Sequence, residues 1–277
     1  MSHPLPPDRW REQLLQWTAP PPEDADSAPS SADGWRQHAD RFRAVNQAMA
    51  GREEPLIRFL SPWLGPDVTV IDVGAGGGRF TAPLAERVRQ VVAVEPSAGM
   101  REVLAEAVAG KGNVHLVPRP WPDAQPDLHP ADLVVCANVA YDVPDLAPFI
   151  QAMDRAARRH AALFLTLTHP IGAMASLWRQ FRGWTVPSGP TYLDAAAVAF
   201  HLGLPVNVTL IPVQPTLVFP DWDAALALYR RRLGLRPNPP RDAKLRAALA
   251  PMVEEQGGQL AVRPWERHAA VVWWQKG

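Results

Sequence analysis

The sequence predicts an α/β protein built on a doubly wound, largely parallel sheet, and two observations carry this prediction. Short apolar segments rich in β-branched residues alternate with helical patterns between residues 70 and 167. A run of glycines, in VIDVGAGGGRF at 70–80, follows the first of these segments. Alternating strands and helices favour parallel strands covered on both faces, with ligands binding over the carboxyl ends of the strands.

The predicted elements follow from hydrophobic spacing along the chain. Two helices, at about 35–50 and around 56–64, precede the first strand at 70–73. Later strands are predicted at 91–95, 114–117, 132–138, 161–167, 206–213 and 268–275, and later helices after the glycines, after Ser97, and at about 146–159, 222–233 and 242–255. The glycine turn then lies between a strand and a helix, where backbone N–H groups and the positive helix end can receive an anionic group.

Local composition divides the chain into regions. Residues 19–34 are rich in Pro, Ser, Asp and Ala and show no apolar periodicity. We therefore expect residues 1–34 to form a flexible or irregular arm ahead of one domain at 35–277. Within that domain, the aromatic-rich segment 171–204 is expected to form a lid over the site and to set substrate specificity.

The overall composition narrows the class of protein. Of the 277 residues, 47% are hydrophobic, and 28 basic residues balance 28 acidic ones, so the net charge does not indicate a nucleic-acid or membrane partner. One cysteine, Cys136, excludes an intrachain disulfide framework and a cysteine-based zinc cage. Because the sequence shows no signal-peptide pattern and no run of about 18 apolar residues, we expect a cytoplasmic protein without a membrane segment.

The glycine spacing separates two classes of ligand. A dinucleotide fingerprint, G-x-G-x-x-G/A, counted from Gly74 through Gly76, places Arg79 at the third position, where a bulky side chain obstructs close helix packing. The pattern D-x-G-x-G-x-G fits instead, as Asp72, Gly74, Gly76 and Gly78. This stretch resembles motif I of the class I S-adenosylmethionine-dependent methyltransferases. The resemblance implies a seven-stranded Rossmann-like methyltransferase sheet in the order 3-2-1-4-5-7-6, with the last strand antiparallel, N-terminal helices and a helical lid insert.

The resemblance also implies a cofactor, S-adenosylmethionine, and a product, S-adenosylhomocysteine. Glu95 matches the acidic residue that accepts both ribose hydroxyls in that family, and one carboxylate has acceptor oxygens for two hydroxyls. Trp121 would lie against the adenine, although it also fits an ordinary loop aromatic, and Asn138 would lie near the sulfonium. The cofactor residues implied in this way are Asp72, Gly74, Ala75, Gly76, Gly78, Glu95, Pro96, Trp121 and Asn138.

The catalytic candidates are His169, Tyr141 and Asp142, which follow the fifth and fourth strands. In-line methyl transfer releases a neutral thioether, so at most one base is needed, to take a proton from the acceptor. Each candidate has a structural alternative, since His169 fits a strand-end histidine and the other two fit a helix-entry segment. No compact set of His, Asp and Glu near the motif indicates a metal site.

The sequence therefore predicts a methyltransferase that acts on a small-molecule acceptor. Three alternatives stay open, namely a non-catalytic S-adenosylmethionine-binding protein, an RNA methyltransferase, and a dinucleotide-dependent oxidoreductase, which Arg79 disfavours. Residues 229–246 carry seven basic residues and one acidic residue, a run that fits RNA binding or a solvated helix face. Asn138 is followed by Val139 in place of the proline of base-methylating motifs, which disfavours RNA. The sequence indicates neither the acceptor nor the oligomeric state.

Overall fold

The fold was determined as a computed structural model, which describes residues 4–17, 35–213, 218–263 and 266–277. The strands are β1 (Thr69–Val73), β2 (Gln90–Val94), β3 (Val114–Val117), β4 (Ala131–Ala137), β5 (Ala157–Thr166), β6 (Asn207–Pro212), β7 (Val218–Phe219), β8 (Val253–Gln256), β9 (Gln259–Val262) and β10 (His268–Gln275). Within the described residues, seven strands form one sheet in the order β3-β2-β1-β4-β5-β10-β6. Strand β10 is antiparallel to both of its neighbours, which confirms the predicted order and the antiparallel last strand.

Helices cover both faces of this sheet. They are α1 (Pro6–Leu15), α2 (Ala39–Met49), α3 (Pro55–Leu60), α4 (Thr81–Ala85), α5 (Ala98–Ala107), α6 (Leu146–Ala156), α7 (Ala175–Arg182), α8 (Tyr192–His201), α9 (Trp222–Leu233) and α10 (Pro239–Leu249). Successive residues of β1 enter different cores, since Ile71 packs with α6 and α8 while Val70 packs with α3 and α4. A strand buried on both sides reads as a continuous apolar run, and for this reason β1 was recognisable in the sequence. Among the described residues, no helix is both long and apolar enough to cross a membrane.

The boundary between α6 and β5 differs from the prediction. The helix was expected to continue to Arg159, but it ends at Ala156 and the strand begins at once. Ala157 pairs with Ala131, and His160 pairs with Leu133 of β4 and Gln275 of β10. Pairing on both sides outweighs the weak helical preference of the arginines in this stretch.

A second sheet lies outside the predicted elements. Among the described residues, β7, β9 and β8 form a three-stranded antiparallel sheet. Gly257 and Gly258, both with positive φ, join β8 to β9 as a two-residue hairpin. The helix expected at 242–255 therefore ends at Leu249, and it starts earlier than expected because Asn238 caps it and a proline follows at Pro239.

The segment expected to form a lid, 171–204, divides between two cores. Helix α7 packs with β7, α9, α10 and β9, and we call this unit the cap. Helix α8 instead joins the main core beside α6, with Ala195, Val198 and Ala199 fully buried. Its small residues allow this close packing, so residues 192–201 support the sheet and do not cover it.

The N-terminal residues also differ from the expected irregular arm. Residues 6–15 form helix α1, which packs against α8 and α6, whereas 18–34 lie outside the described residues. Trp10 is fully buried, stacks on Tyr141 with ring centroids 5.8 Å apart, and donates its indole N–H to the carbonyl of Val143 at 2.8 Å. Arg9 forms an ion pair with the buried Asp194 of α8. One large aromatic side chain therefore anchors the N-terminal helix.

We expect Trp10→Ala to lower the free energy of unfolding by about 3–5 kcal/mol, because it removes a fully buried indole and leaves a cavity. Trp10→Phe should cost less, since it retains an aromatic ring and loses mainly the hydrogen bond to Val143. Urea denaturation followed by circular dichroism measures both. Leu15→Ala is the control, because Leu15 on the same helix is 61% exposed and its loss should change stability by about 0.5 kcal/mol or less. Equal stability of Trp10→Ala and Leu15→Ala would show that α1 is not anchored in this way.

Candidate functional site

The glycine loop begins where β1 meets the end of β4. Gly74 has a φ of +68°, and a Cβ at this position would lie 2.4 Å from Cγ2 of Val139. Only glycine permits both that backbone conformation and that approach. Asp72, two residues earlier, is 2% exposed and accepts a hydrogen bond from the Thr81 hydroxyl at 2.6 Å. Burial, reinforced by the charge of Glu95 and partly offset by Thr81, raises the pKa of Asp72 to about 6.

The backbone N–H groups of the loop are used within the protein. Those of Gly74 and Ala75 both donate to the carbonyl of Val94, at 2.8 and 3.0 Å, and that of Gly78 donates to Ala75. The helix that follows, α4, has only five residues. The expected cradle of free N–H groups for an anion is therefore not what the loop provides. The glycines instead give it a shape that other groups can approach closely.

Glu95 joins β2 to the glycine loop. Its Oε2 accepts the N–H of Gly76 and its Oε1 accepts the N–H of Ser97, both at 2.8 Å, and the residue is 6% exposed. Ser97 in turn caps α5 by accepting the N–H of Met100, as predicted. Each carboxylate oxygen carries two lone pairs, so Glu95 can accept further hydrogen bonds from a ligand while it holds the loop. Pro96, the next residue in the predicted set, is exposed.

Helix α2 covers the glycine loop, a role that the sequence did not indicate. Cε1 of Phe42 lies 3.7 Å from the Cβ position of Gly76, and Nδ2 of Asn46 donates to the carbonyl of Gly77 at 2.6 Å. Oδ1 of Asn46 is buried without a hydrogen-bond partner among the described atoms. An isolated buried acceptor of this kind is unfavourable, and a ligand donor beside the loop would satisfy it. The only signal in the sequence was the apolar face of the helix.

Arg79, the residue that breaks the dinucleotide fingerprint, has a structural partner. Its Nε and Nη2 donate to the two carboxylate oxygens of Glu54, at 2.5 and 2.9 Å. Glu54 precedes α3 and is only 5% exposed. This two-point pair ties the end of the glycine loop to the N-terminal helices. Arg79 is therefore committed to packing the loop.

The two remaining predicted cofactor residues differ in their placement. Asn138, at the end of β4, is exposed and has a φ of +59°, the one positive φ of a non-glycine residue in the described part of the chain. Such conformations are concentrated at functional sites. Trp121 is partly buried, packs edge-on against Phe149 of α6, and donates its indole N–H to the Phe149 carbonyl at 3.2 Å. Its contacts are those of a packing residue, and its position over an adenine stays a prediction.

Two of the three candidate bases are engaged in other interactions. Tyr141 is buried and donates its hydroxyl to the carbonyl of Thr166 at 2.9 Å, and burial raises its pKa further. His169 is buried with its ring stacked on Trp17 at 3.8 Å, and burial lowers its pKa to about 4. Its Nδ1 accepts the N–H of Ile171, so the neutral ring carries its proton on Nε2 and is a donor there. Neither arrangement favours a general base.

Asp142 keeps an exposed carboxylate beside the end of β4. The surrounding protein raises its pKa through desolvation, which makes it a better proton acceptor than an ordinary aspartate. Within the described residues, no group of three or more His, Cys, Asp and Glu is arranged to hold a metal ion.

Comparisons with known proteins agree with this geometry. Residues 70–160, which run from β1 into β5, match a family model described as a methyltransferase domain. A protein of Haemophilus influenzae described only as uncharacterized is 28% identical over 153 residues, which are 53% of this chain and 55% of that protein. The chain therefore spans about half the length of this curated relative.

Two solved structures share the fold at low sequence identity. A cyclopropane-fatty-acyl-phospholipid synthase-like protein from Lactobacillus casei is 15% identical, with a TM-score of 0.51, over 97% of this chain and 100% of that one. A putative methyltransferase from Bacillus halodurans is 14% identical, with a TM-score of 0.50, over 80% of this chain and 98% of that one. At these identities the similarity is one of fold alone.

We expect Gly74→Ala to be more destabilising than Gly110→Ala. Both positions have positive φ, but only the new methyl group at Gly74 would overlap Val139, whereas nothing lies within 4 Å at Gly110. Backbone strain alone costs roughly 1–2 kcal/mol, and the overlap adds about 1–3 kcal/mol at Gly74. A double-mutant cycle with Val139→Ala, measured by urea denaturation, should recover most of the difference. Additive effects of the two changes would contradict the proposed contact.

Asp72 should make stability depend on pH. Its folded pKa lies above the unfolded value, so the folded state holds the proton more tightly, and this contribution to stability is lost as the pH rises from about 4 to about 6. Asp72→Asn removes the titration and should stabilise the protein by roughly 2–3 kcal/mol at pH 7 relative to the parent protein. Unfolding curves between pH 4 and 8 measure the difference. Asp67→Asn, at an exposed position, is the control, and identical pH profiles for all three proteins would contradict the assignment.

Proposed function

Because this chain carries a class I S-adenosylmethionine-dependent methyltransferase domain, we propose that it transfers the methyl group of S-adenosylmethionine to a small-molecule acceptor. The carrying observation is the contact between Glu95 and Gly76 at 2.8 Å, which brings the acidic end of β2 to the glycine loop. The family implies both features, and here they form one continuous surface with Asn138 at the end of β4.

The described residues fit this cofactor better than a dinucleotide. A pyrophosphate needs free backbone N–H groups at a helix start, but the N–H groups of Gly74, Ala75 and Gly78 are bonded within the protein. A nucleoside without phosphates needs acceptors for its ribose and close approach to the backbone, and Glu95 and the glycines offer these. The unpartnered Oδ1 of Asn46 would accept a donor from the same ligand.

The chemistry then depends mainly on positioning. When bound, S-adenosylmethionine supplies a methyl group on a sulfonium, which an acceptor lone pair displaces in line as the carbon–sulfur bond breaks and its electrons return to sulfur. Glu95 would fix the ribose, and Asn138 would border the methyl group. The acceptor loses its proton, and we propose Asp142 as the residue that takes it, since Tyr141 and His169 are donors in this structure.

The basic run at 229–246 supports an RNA acceptor only weakly. Arg230 pairs with Asp242 at 2.6 Å, and the guanidinium of Arg246 lies over the ring of Trp222 at 4.9 Å. These side chains stabilise the cap and are not arranged as an exposed stripe. A small acceptor, held between the sheet and the cap, is therefore the function that we favour.

Isothermal titration with S-adenosylhomocysteine tests the proposal directly. We expect binding to the parent protein and none of NAD under the same conditions. Glu95→Gln should weaken binding by roughly ten- to a hundredfold, because a charge-assisted hydrogen bond is worth about 1.5–3 kcal/mol and about 1.4 kcal/mol corresponds to a factor of ten.

Glu12→Gln, an equal change of charge at an exposed position on α1, is the matched control and should bind like the parent protein. Since Glu95 also holds Gly76 and Ser97, the melting temperature of each variant is measured alongside. Binding of NAD in preference to S-adenosylhomocysteine would overturn the proposed function, and unchanged affinity in Glu95→Gln would overturn the ribose assignment.

A further inference from the structure

Four basic side chains from two separate parts of the chain meet beside the glycine loop. His38 and Arg41 lie at the start of α2, and Arg231 and Arg232 lie in the last turn of α9. Helix α2 contacts β7, which in turn contacts α9, so the two helices border one cleft. From this juxtaposition we infer that the cleft binds the anionic group of the methyl acceptor, a carboxylate or a phosphate. The inference rests on the proposed methyl transfer and names the class of its substrate.

Aromatic rings hold the guanidinium groups in place. The Arg41 guanidinium lies 5.0 Å from the centroid of the Phe42 ring, and that of Arg232 lies 6.0 Å from the centroid of the buried Tyr229 ring. The Phe42 ring also touches the glycine loop, with Cε1 3.7 Å from the Cβ position of Gly76. One ring therefore separates the cationic cluster from the loop that we assign to the methyl donor. An anion held by the cluster would place the rest of its molecule near that loop.

The positive charges of the cluster are not neutralised by nearby acids. Within the part of the chain that the structure describes, Arg41, Arg231 and Arg232 form no ion pair with a carboxylate. Burial, followed by the charges of Arg232 and Arg231, lowers the pKa of Arg41 to about 10. Burial and the three arginines also lower the pKa of His38 to about 4, and its buried Nδ1 has no hydrogen-bond partner among the described atoms. Partly buried like charges are unfavourable without a counter-ion, and a bound anion would supply one.

The helix end, the cofactor and RNA each account for only part of the cluster. The C-terminal end of α9 favours cations, but this effect does not explain Arg41, which comes from α2 and faces the same cleft. The neighbouring Arg230 behaves differently from the cluster, since it pairs with Asp242. The carboxylate of the cofactor itself carries one charge, fewer than the three arginines present. RNA requires an exposed array of cations, whereas Arg41 and Arg232 are partly buried between helices.

The test uses two probes, inorganic phosphate and succinate, titrated calorimetrically into the full chain saturated with S-adenosylhomocysteine at low chloride. The variants are Arg41→Gln, Arg232→Gln and Arg231→Gln, the last at an exposed position where folding is not at risk. Arg89→Gln is the matched control, because Arg89 is exposed at the start of β2, at the opposite end of the strand, and changes the net charge equally. The same titrations without S-adenosylhomocysteine are run in parallel. The probe that binds more tightly distinguishes a carboxylate from a phosphate.

We expect one probe to bind the parent protein and Arg89→Gln equally, and to bind the three cluster variants at least tenfold more weakly, with S-adenosylhomocysteine affinity unchanged throughout. No binding of either probe to the parent protein, or equal binding to all variants, would overturn the inference. Anion binding that disappears when S-adenosylhomocysteine is present would assign the cluster to the cofactor carboxylate. Salt-sensitive binding of an RNA oligonucleotide that the cluster variants abolish would assign it to RNA, and both outcomes reject a small anionic acceptor. If S-adenosylhomocysteine fails to bind the parent protein, the proposed function fails, while the parallel titrations still decide whether the cluster binds an anion.

Discussion

The carboxylate of Glu95 holds together the ligand-binding end of the sheet. By accepting the N–H groups of Gly76 and Ser97, it joins the end of β2 to the glycine loop and to the start of α5. The loop cannot take its shape from side chains of its own, because close approach by Val139 requires glycine at position 74. Its geometry therefore depends on acceptors supplied by a neighbouring strand. The same carboxylate is the acceptor that a ribose needs, so loop structure and ligand recognition share one group.

The cleft lies between two covers of different origin. On one side α2 lies over the loop through Phe42 and Asn46, and on the other the cap presents the end of α9. The sheet and glycine loop provide the features of the whole family, whereas the residues that differ between these two covers are specific to this chain. We therefore assign recognition of the donor to the sheet edge and recognition of the acceptor to the covers.

Much of the sheet was predictable because its strands are buried on both faces and its glycine spacing is specific. The strand order and the antiparallel β10 were expected, and β10 begins and ends at the predicted residues. Docking of α1 was not predictable, since Trp10 bonds to Val143, 133 residues away, and nothing local reveals that partner. The small sheet of the cap was missed although its Gly257–Gly258 turn is a hairpin signal, because strands of two to four residues show too little alternation. The involvement of Tyr141 and His169 in packing likewise depends on long-range contacts that no motif encodes.

The way in which α2 is attached has a consequence for turnover. Outside its contacts with the loop, it is held to α5 by ion pairs between Arg43 and Glu106 and between Arg36 and Glu102, all substantially exposed. Exposed ion pairs contribute little to stability and weaken as salt screens them. A cover held in this way can detach without disturbing the sheet beneath it, and a spent nucleoside must leave past it. Product release, more than the chemical step, is therefore the stage of the cycle that should respond to ionic strength.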